Sequence, residues 1–259
     1  TLIIESGSDH GVNWTGEVST SFENRIKFAS VSFLKTLTWK QFNQSTLIGG
    51  QTALSTVNPI KVKSYGGSYL GLDKAGNLLA YGKNEYGQLG NPNGTTSYIN
   101  YAKLVAKNVK DFDIGYTSSA IISGDNNELL FAGASIYGQI PGRIDSHYDS
   151  STWLTTFSKV GITGIGKIAR GHNHTMFVPS STSAETGIDG DPLYEIGVVY
   201  THGYNGNGEL GRTTSSYDSR DSTPSSSGMR FNATDVVEIS AGNSHSAVLR
   251  ANGELYIFG

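Results

Sequence analysis

Cysteine is absent from this chain of 259 residues, and charged side chains make up only 16% of it. Without cysteine there is no disulfide framework, thiol nucleophile or thiolate metal site. The net charge of −3 disfavours a protein whose affinity comes from neutralising phosphates, so we expect no nucleic-acid partner. No apolar run reaches the length of about 18 residues that suggests a membrane span, and we expect none.

Glycine and tyrosine, by contrast, are abundant, with 33 and 14 residues. The polar residues are largely serine, threonine and asparagine rather than lysine and glutamate. Long helices favour alanine, leucine, glutamate and lysine. Short strands joined by turns of glycine and asparagine suit this composition better. The composition therefore indicates an all-β protein.

One pattern returns four times along the chain. It consists of an apolar stretch ending in a small residue, a turn, a strand ending in glycine, and an aromatic-Gly-Gln-Leu-Gly element or a variant of it. The clearest copy ends in Tyr86-Gly87-Gln88-Leu89-Gly90. Gly87 and the equivalent Gly138 lie 51 positions apart, a spacing typical of propeller blades. An insertion at 179–197 lengthens the third copy.

Each copy contains a hairpin that cannot bury its own faces, so the hairpins are expected to stack as blades. We therefore predict a β-propeller of four-stranded antiparallel blades, or an incomplete part of one. The positions that define the repeat are Gly66, Gly82, Gly87, Gln88, Gly90, Gly115, Gly133, Gly138, Gln139, Gly171, His174, Gly203, Gly208, Gly211, Gly242, His245, Gly253 and Gly259.

The fourth copy carries the most specific motif. Its segments Ala241-Gly242-Asn243-Ser244-His245-Ser246-Ala247 and Asn252-Gly253-Glu254-Leu255-Tyr256-Ile257-Phe258-Gly259 resemble the repeat of the regulator-of-chromosome-condensation propellers. The resemblance covers 60–259, and 1–15 weakly. Tyr69 stands where histidine is usual in that family, and Glu209 replaces glutamine. Such departures suggest a divergent bacterial or bacteriophage member that keeps the scaffold and has drifted in function.

The domain organisation follows from this pattern. About four repeats occupy 60–259, and 1–59 is a divergent blade portion or a lead-in segment. Thr1–Ser6 resembles the strand that closes the fourth copy, and the resemblance implies a seven-bladed ring. We therefore expect the chain to continue beyond one or both ends. The alternative is that 24–59 hides a degenerate blade.

Few residues suggest chemistry. His172 and His174 could offer two imidazoles to a metal, but His174 falls on the same repeat position as His245, so a structural role is expected. Asp189-Gly190-Asp191 resembles the start of a calcium loop, but the later carboxylate ligands are missing. With Tyr194 these aspartates form a candidate binding loop, and a solvated decoration is equally open. The serine-rich stretch 213–228 is expected to link two blades. No catalytic motif is found, so we expect neither enzymatic activity nor a cofactor.

Three functions remain open. Low charge and many Tyr, Ser and Asn residues suit an adhesive surface. This favours a component of a bacteriophage tail or tail fibre, in the virion or outside the cell, which contacts other assembly proteins or a receptor (protein or glycan) on the host surface. The resemblance also permits guanine-nucleotide exchange on a small GTPase. A secreted propeller that inhibits an enzyme is the third possibility.

Overall fold

A computed structural model describes residues 4–6, 59–91, 97–181, 194–213, 220–226 and 235–259. Apart from one 3₁₀ turn, Ser150–Thr152, the regular elements in these ranges are all β-strands. They are β1 (Ile4–Ser6), β2 (Pro59–Tyr65), β3 (Ser68–Asp73), β4 (Leu78–Lys83), β5 (Tyr98–Ala106), β6 (Val109–Ile114), β7 (Ser118–Ser123), β8 (Glu128–Gly133), β9 (Leu154–Lys159), β10 (Ile165–Arg170), β11 (His174–Pro179), β12 (Tyr200–Tyr204), β13 (Arg220–Ser226), β14 (Val236–Ala241), β15 (Ser246–Arg250) and β16 (Leu255–Phe258). None of the described segments forms a helix long and apolar enough to cross a membrane.

The strands form four sheets in chain order, which we call blades 1 to 4. Blade 1 contains β2–β5, blade 2 β6–β9, blade 3 β10–β13 and blade 4 β14–β16. Each blade is an antiparallel meander. The first strands contact one another, since β6 touches both β2 and β10, and β10 also touches β14. They therefore lie on the inside, and the predicted propeller architecture is confirmed.

The hydrophobic core lies between the blades. Leu70 and Leu78 of blade 1 pack in one cluster with Phe112 and Ile121 of blade 2, and comparable clusters join blades 2 to 3 and 3 to 4. Blade 2 is covered on both sides, so consecutive residues of β7 are buried. On β16, by contrast, burial alternates along the strand. Stacking of blades, rather than any single hairpin, provides the apolar burial.

The same irregularities recur in each blade. The pairing of the first and second strands shifts register near the start of the first strand in all four blades. A second shift precedes the glycine near the end of the third strand in blades 1 to 3. Such bulges increase the local twist and bend the strand. The repeat seen in the sequence is therefore also a repeat of backbone geometry.

The register corrects one alignment. Ser68, not Tyr69, pairs with Gly82, as His174 pairs with Gly203. Serine therefore occupies the histidine position in blade 1, and Tyr65 takes the place of the glycine before the turn. The adjacent glycines at 66 and 67 made the sequence alignment ambiguous by one residue, and only the strand pairing resolves it.

Two assignments from sequence were wrong. Ile4–Ser6 does not occupy the third position of a blade, because it pairs in parallel with Val62–Ser64 at the inner edge of blade 1. A short apolar run does not specify its partner strand. The stretch 213–228 is more than a linker, because Arg220–Ser226 is the outer strand of blade 3. An outer edge strand needs only backbone pairing on one side and tolerates proline. The possible blade within 24–59 lies outside the described residues except for Pro59, which begins β2.

Candidate interaction surface

The meander places the loops of each blade on two opposite faces. Turns between first and second strands, and loops between third and fourth strands, lie on one face, which we call the loop face. Turns between second and third strands lie on the other. The 179–197 insertion joins β11 to β12, and its described ends lie on the opposite face.

Glycine closes the third strand because a side chain there would strike the backbone. Gly82, Gly133, Gly203 and Gly259 have φ values between +100° and +118°. A Cβ atom at each would lie 2.1 to 2.5 Å from the carbonyl oxygen of a turn residue that precedes the second strand of the same blade. Real Cβ contacts are essentially never this short, so any other residue at these four positions would force the backbone to shift.

The element after the third strand is a compact loop that satisfies its own backbone. In blade 1 the Gln88 side chain accepts a hydrogen bond from the Tyr86 amide (2.9 Å), and Asn84 Oδ1 accepts one from Leu89 (2.9 Å). Gln139 accepts in the same way from Tyr137, and Glu209 from Asn207. Glutamate can replace glutamine because the conserved contact requires only an acceptor. Positive φ values occur at the glycines of this element, Gly87, Gly90, Gly138, Gly208 and Gly211.

A hydroxyl group joins each of these loops to the next blade. Ser246 donates to the Glu209 carbonyl over 2.8 Å, and Thr175 donates to that of Gln139 over the same distance. Ser119 donates to the carbonyl of Gln88. The three hydroxyl residues occupy the same position of their second strands. The Gln-Leu element therefore connects neighbouring blades as well as forming a turn. We call each of these hydroxyl-to-carbonyl hydrogen bonds a latch.

Three of the remaining repeat glycines, Gly66, Gly115 and Gly171, lie at contacts with the next blade. A Cβ at Gly115 would lie 2.4 Å from the Gly171 carbonyl oxygen, and one at Gly171 would lie 2.6 Å from that of Gly242. These glycines let the turns of successive blades approach. Gly66 and Gly253 have positive φ in their turns, at +55° and +87°.

A chain of polar contacts crosses three inner strands. Lys63 of blade 1 pairs with Asp113 of blade 2 over 3.0 Å, and Asp113 accepts a hydrogen bond from the Arg170 amide of blade 3, also over 3.0 Å. The Arg170 side chain is buried and donates to the Gln139 carbonyl over 2.7 Å. Burial raises the pKa of Asp113, whereas Lys63 acts to lower it. These contacts join the inner strands of three blades, and Asp113 and Arg170 are buried, so we assign the network a structural role.

The two histidines singled out from the sequence lie in different surroundings, because His172 belongs to the turn before β11 and His174 begins that strand. His174 is buried and its Nε2 lies 3.0 Å from the Ser246 hydroxyl of blade 4. Burial lowers its pKa to about 3. His172 lies on the loop face, where its Nδ1 meets the Tyr65 hydroxyl at 2.7 Å. His245, at the repeat position of His174, is exposed. Among the described residues no group of three or more metal-ligating side chains comes together.

The candidate binding loop is only partly described. Tyr194 is buried in the core of blade 3, where its ring packs edge-on against Phe177 and Tyr200 at 5.4 and 4.9 Å. It is therefore a core residue and not a surface contact. Asp189 and Asp191 lie outside the described residues. A cavity of about 680 Å³ lies beside the insertion on that face, and both ends of the insertion contribute to its lining.

A row of aromatic rings on the loop face was missed by sequence reasoning. Neighbouring ring centroids lie 4.5 to 6.4 Å apart across blades 1 to 3. We call this row the aromatic strip; its members are Tyr65, Tyr86, Tyr116, His147, Tyr148, Trp153 and His172. Tyr116 is 39% exposed and Tyr148 is 95% exposed. Contiguous exposed aromatic area of this kind marks interaction sites on soluble proteins.

The inner part of the strip is held in a fixed arrangement. The Tyr116 ring stacks on His172, with centroids 4.5 Å apart and planes 9° from parallel. His172 is in turn fixed by the hydroxyl of buried Tyr65. Burial lowers the pKa of His172, so its ring is neutral at pH 7. Tyr65, Tyr116 and His172 come from turn regions of three successive blades. Their adjacency could have been suspected only from a correct alignment of those turns.

Comparison with known proteins supports the repeat and the fold. Residues 197–249 match the family described as regulator of chromosome condensation (RCC1) repeat. Among curated proteins, no sequence matches the chain significantly. The fold is that of an RCC1-type β-propeller.

Three solved structures resemble the chain, each at 18% identity. Human WBSCR16 superposes with a TM-score of 0.57, and the match covers 80% of this chain and 48% of the WBSCR16 chain. Yeast RCC1 (Prp20), in a structure bound to Kap60, gives a TM-score of 0.56, and the match covers 78% of this chain and 44% of the yeast chain. Prp20p from Saccharomyces cerevisiae, described with its binding properties to Gsp1p and histones, gives a TM-score of 0.54. This match covers 78% of this chain and 45% of the Prp20p chain. The chain thus spans about half the length of these structures.

Proposed function

We propose that this chain, which carries an RCC1-type repeat on an RCC1-type propeller fold, is a non-catalytic recognition module that uses its loop face. The observation that carries the proposal is the aromatic strip, whose rings come from three blades and whose outer members are exposed. A rigid scaffold that presents loops of varied sequence is a common basis for binding surfaces. Tyrosine and tryptophan provide large contact areas at low cost in conformational entropy.

The more specific role that we propose is in a bacteriophage tail or tail fibre, in virion assembly or in attachment to the host surface. The support is compositional: low charge, abundant glycine and tyrosine, and no cysteine. Such a component would act outside the host cell. Antibodies raised against the chain should label the tails of virus particles from the source culture. Labelling of host cells alone, with no labelled particles, would contradict this role.

Binding through the strip is tested on bacterial cells. The purified chain should adhere to cells of at least one strain in a panel, and Tyr116→Ala should reduce adhesion at least about tenfold, about 1.4 kcal/mol in binding. Tyr101→Ala is the matched control, because Tyr101 is a similarly exposed tyrosine (44%) on the outer strand of blade 1 and makes none of the ring contacts of the strip. Equal loss in both variants would mean that the strip is not the binding surface.

Nucleotide exchange on a small GTPase remains a measurable alternative. The yeast protein described with its binding to Gsp1p shares only 18% identity with this chain, which suffices for the fold and not for the activity. The same purified chain can be added to small GTPases loaded with a fluorescent guanine nucleotide. Faster nucleotide release, together with no cell adhesion, would favour the exchange activity over the proposed one.

A further inference from the structure

We propose that the aromatic strip binds an uncharged oligosaccharide. This inference rests on the proposed recognition function and names the chemical class of its ligand. The argument has three steps: the shape of the strip, its charge, and the fixed orientation of its rings.

The strip is a contiguous aromatic surface rather than a pocket around one group. It runs from His172 and Tyr65 near the inner strands, through Tyr116 and Tyr86, to Trp153, and ring neighbours lie 4.5 to 6.4 Å apart, mostly tilted or edge-to-face. The apolar C–H face of a pyranose packs against exposed aromatic surface, and this surface extends over rings from blades 1 to 3. A linear oligosaccharide that lies along the strip would therefore contact the exposed parts of several rings.

The strip carries no net charge. Its members are tyrosine, tryptophan and histidine, and partial burial lowers the pKa of His172, which favours its neutral ring. Two charged pairs lie in the same loops, and Asp149, between Tyr148 and Trp153, adds a negative charge that would repel a polyanion. In the first pair, Lys83 lies 3.7 Å from Glu85. Arg143 likewise pairs with Asp145 at 2.8 Å. A single-stranded nucleic acid could use the stacking surface, but it would also need cations along its backbone. An uncharged ligand fits better.

The rings are oriented before any ligand arrives. His172 fixes Tyr116, and the Trp153 indole donates to the Ser146 carbonyl over 3.0 Å. Tyr86 packs between Tyr116 and Trp153, at 5.7 and 5.4 Å. Binding to such a surface costs little side-chain entropy. A proline-rich peptide would also contact aromatic side chains, but it docks into grooves between them.

The test is an array of immobilised oligosaccharides probed with the intact chain, followed by calorimetric titration of the best neutral one. We expect binding to at least one neutral oligosaccharide, with an affinity that changes little with salt. Tyr116→Ala should weaken it at least about tenfold. Tyr116→Phe keeps the ring and removes only the hydroxyl, so it should retain most of the affinity. Tyr101→Ala should bind as the unaltered chain does. Unchanged thermal unfolding verifies that each variant is folded.

The outcomes separate this inference from the function beneath it. Preference for anionic oligosaccharides, for oligothymidine or for a polyproline peptide in parallel titrations would overturn it, as would equal binding by Tyr116→Ala. Cell adhesion that survives enzymatic removal of surface glycans, together with an empty array, would leave the recognition function standing and overturn the inference. If the unaltered chain shows neither cell adhesion nor binding on the array, both the recognition function and the oligosaccharide inference are refuted.

Discussion

Replacing Gly133 by alanine tests the central claim about the repeat, that its third-strand glycine is required by a backbone contact. A Cβ at Gly133 would lie 2.2 Å from the Thr117 carbonyl oxygen and 2.6 Å from Ser118 Cα. Gly142, in the same blade, provides a matched control. Its φ is also positive, at +73° against +108°, but nothing lies within 4 Å of its Cβ position. Both substitutions place an alanine at positive φ, at a higher cost at +108° because this angle lies further from the left-handed region. Only Gly133→Ala adds the steric contact.

The magnitudes follow from these geometries. Positive φ costs an alanine about 1–2 kcal/mol, and the loss of glycine's freedom in the unfolded chain returns about 0.4–1 kcal/mol. Gly142→Ala should therefore destabilise by roughly 0–1.6 kcal/mol. At Gly133 the contact adds the cost of overpacking, about 1–3 kcal/mol. Urea unfolding followed by circular dichroism should show this difference, and the melting temperature should fall about 2–4 °C further for each added kcal/mol. Equal destabilisation by the two variants would refute the steric explanation.

Three further perturbations test the contacts between blades. Lys63→Met should destabilise the chain by about 3–5 kcal/mol at pH 7, because it leaves the buried Asp113 carboxylate without its cation. This loss of stability should shrink in acid, where the carboxylate becomes protonated. Lys159→Met is the control, because Lys159 belongs to a more exposed pair, and it should cost under about 1 kcal/mol. The pKa of His174 is about 3 when folded against 6.5 ordinarily, so its contribution to stability is complete above pH 6.5 and is lost as the pH falls. Urea midpoints between pH 7 and 5 should therefore decline, and His174→Gln should flatten that decline; an unchanged slope would exclude this histidine. Ser246→Ala should cost about 1–3 kcal/mol, measured by the same unfolding, because it leaves buried polar partners unsatisfied; a loss below about 0.5 kcal/mol would mean that the latch contributes little.

The repeat pattern could be read from sequence because its signals are local. Glycine at the end of the third strand reflects a clash within a single hairpin, so it recurs wherever the hairpin recurs. Strand β8, Glu128–Gly133, ends in the glycine that the sequence pattern places at the close of a strand. The Gln-Leu-Gly element was equally visible, since Gln88 bonds to a backbone amide only two residues away.

Properties that depend on pairing between distant segments were not accessible in this way. Thr1–Ser6 resembles a third strand in sequence, but its described part, Ile4–Ser6, pairs with the first strand of blade 1. Tyr194 belongs to an insertion by sequence and to the core by packing. The partner of a short strand and the burial of one ring are set by contacts across many residues, and no short window of sequence contains them.

From the amino-acid order alone, the class of fold, the blade unit and its spacing were settled, because each depends on turn chemistry and on a two-residue alternation within a few tens of residues. Tertiary structure alone decided the latches from hydroxyl to carbonyl, the Lys63–Asp113 pair and the aromatic strip. Tyr65, Tyr116 and His172 are about fifty residues apart in the chain and come into contact only because three blades converge on one axis. Convergence of this kind is a property of how the blades pack, which no single repeat encodes.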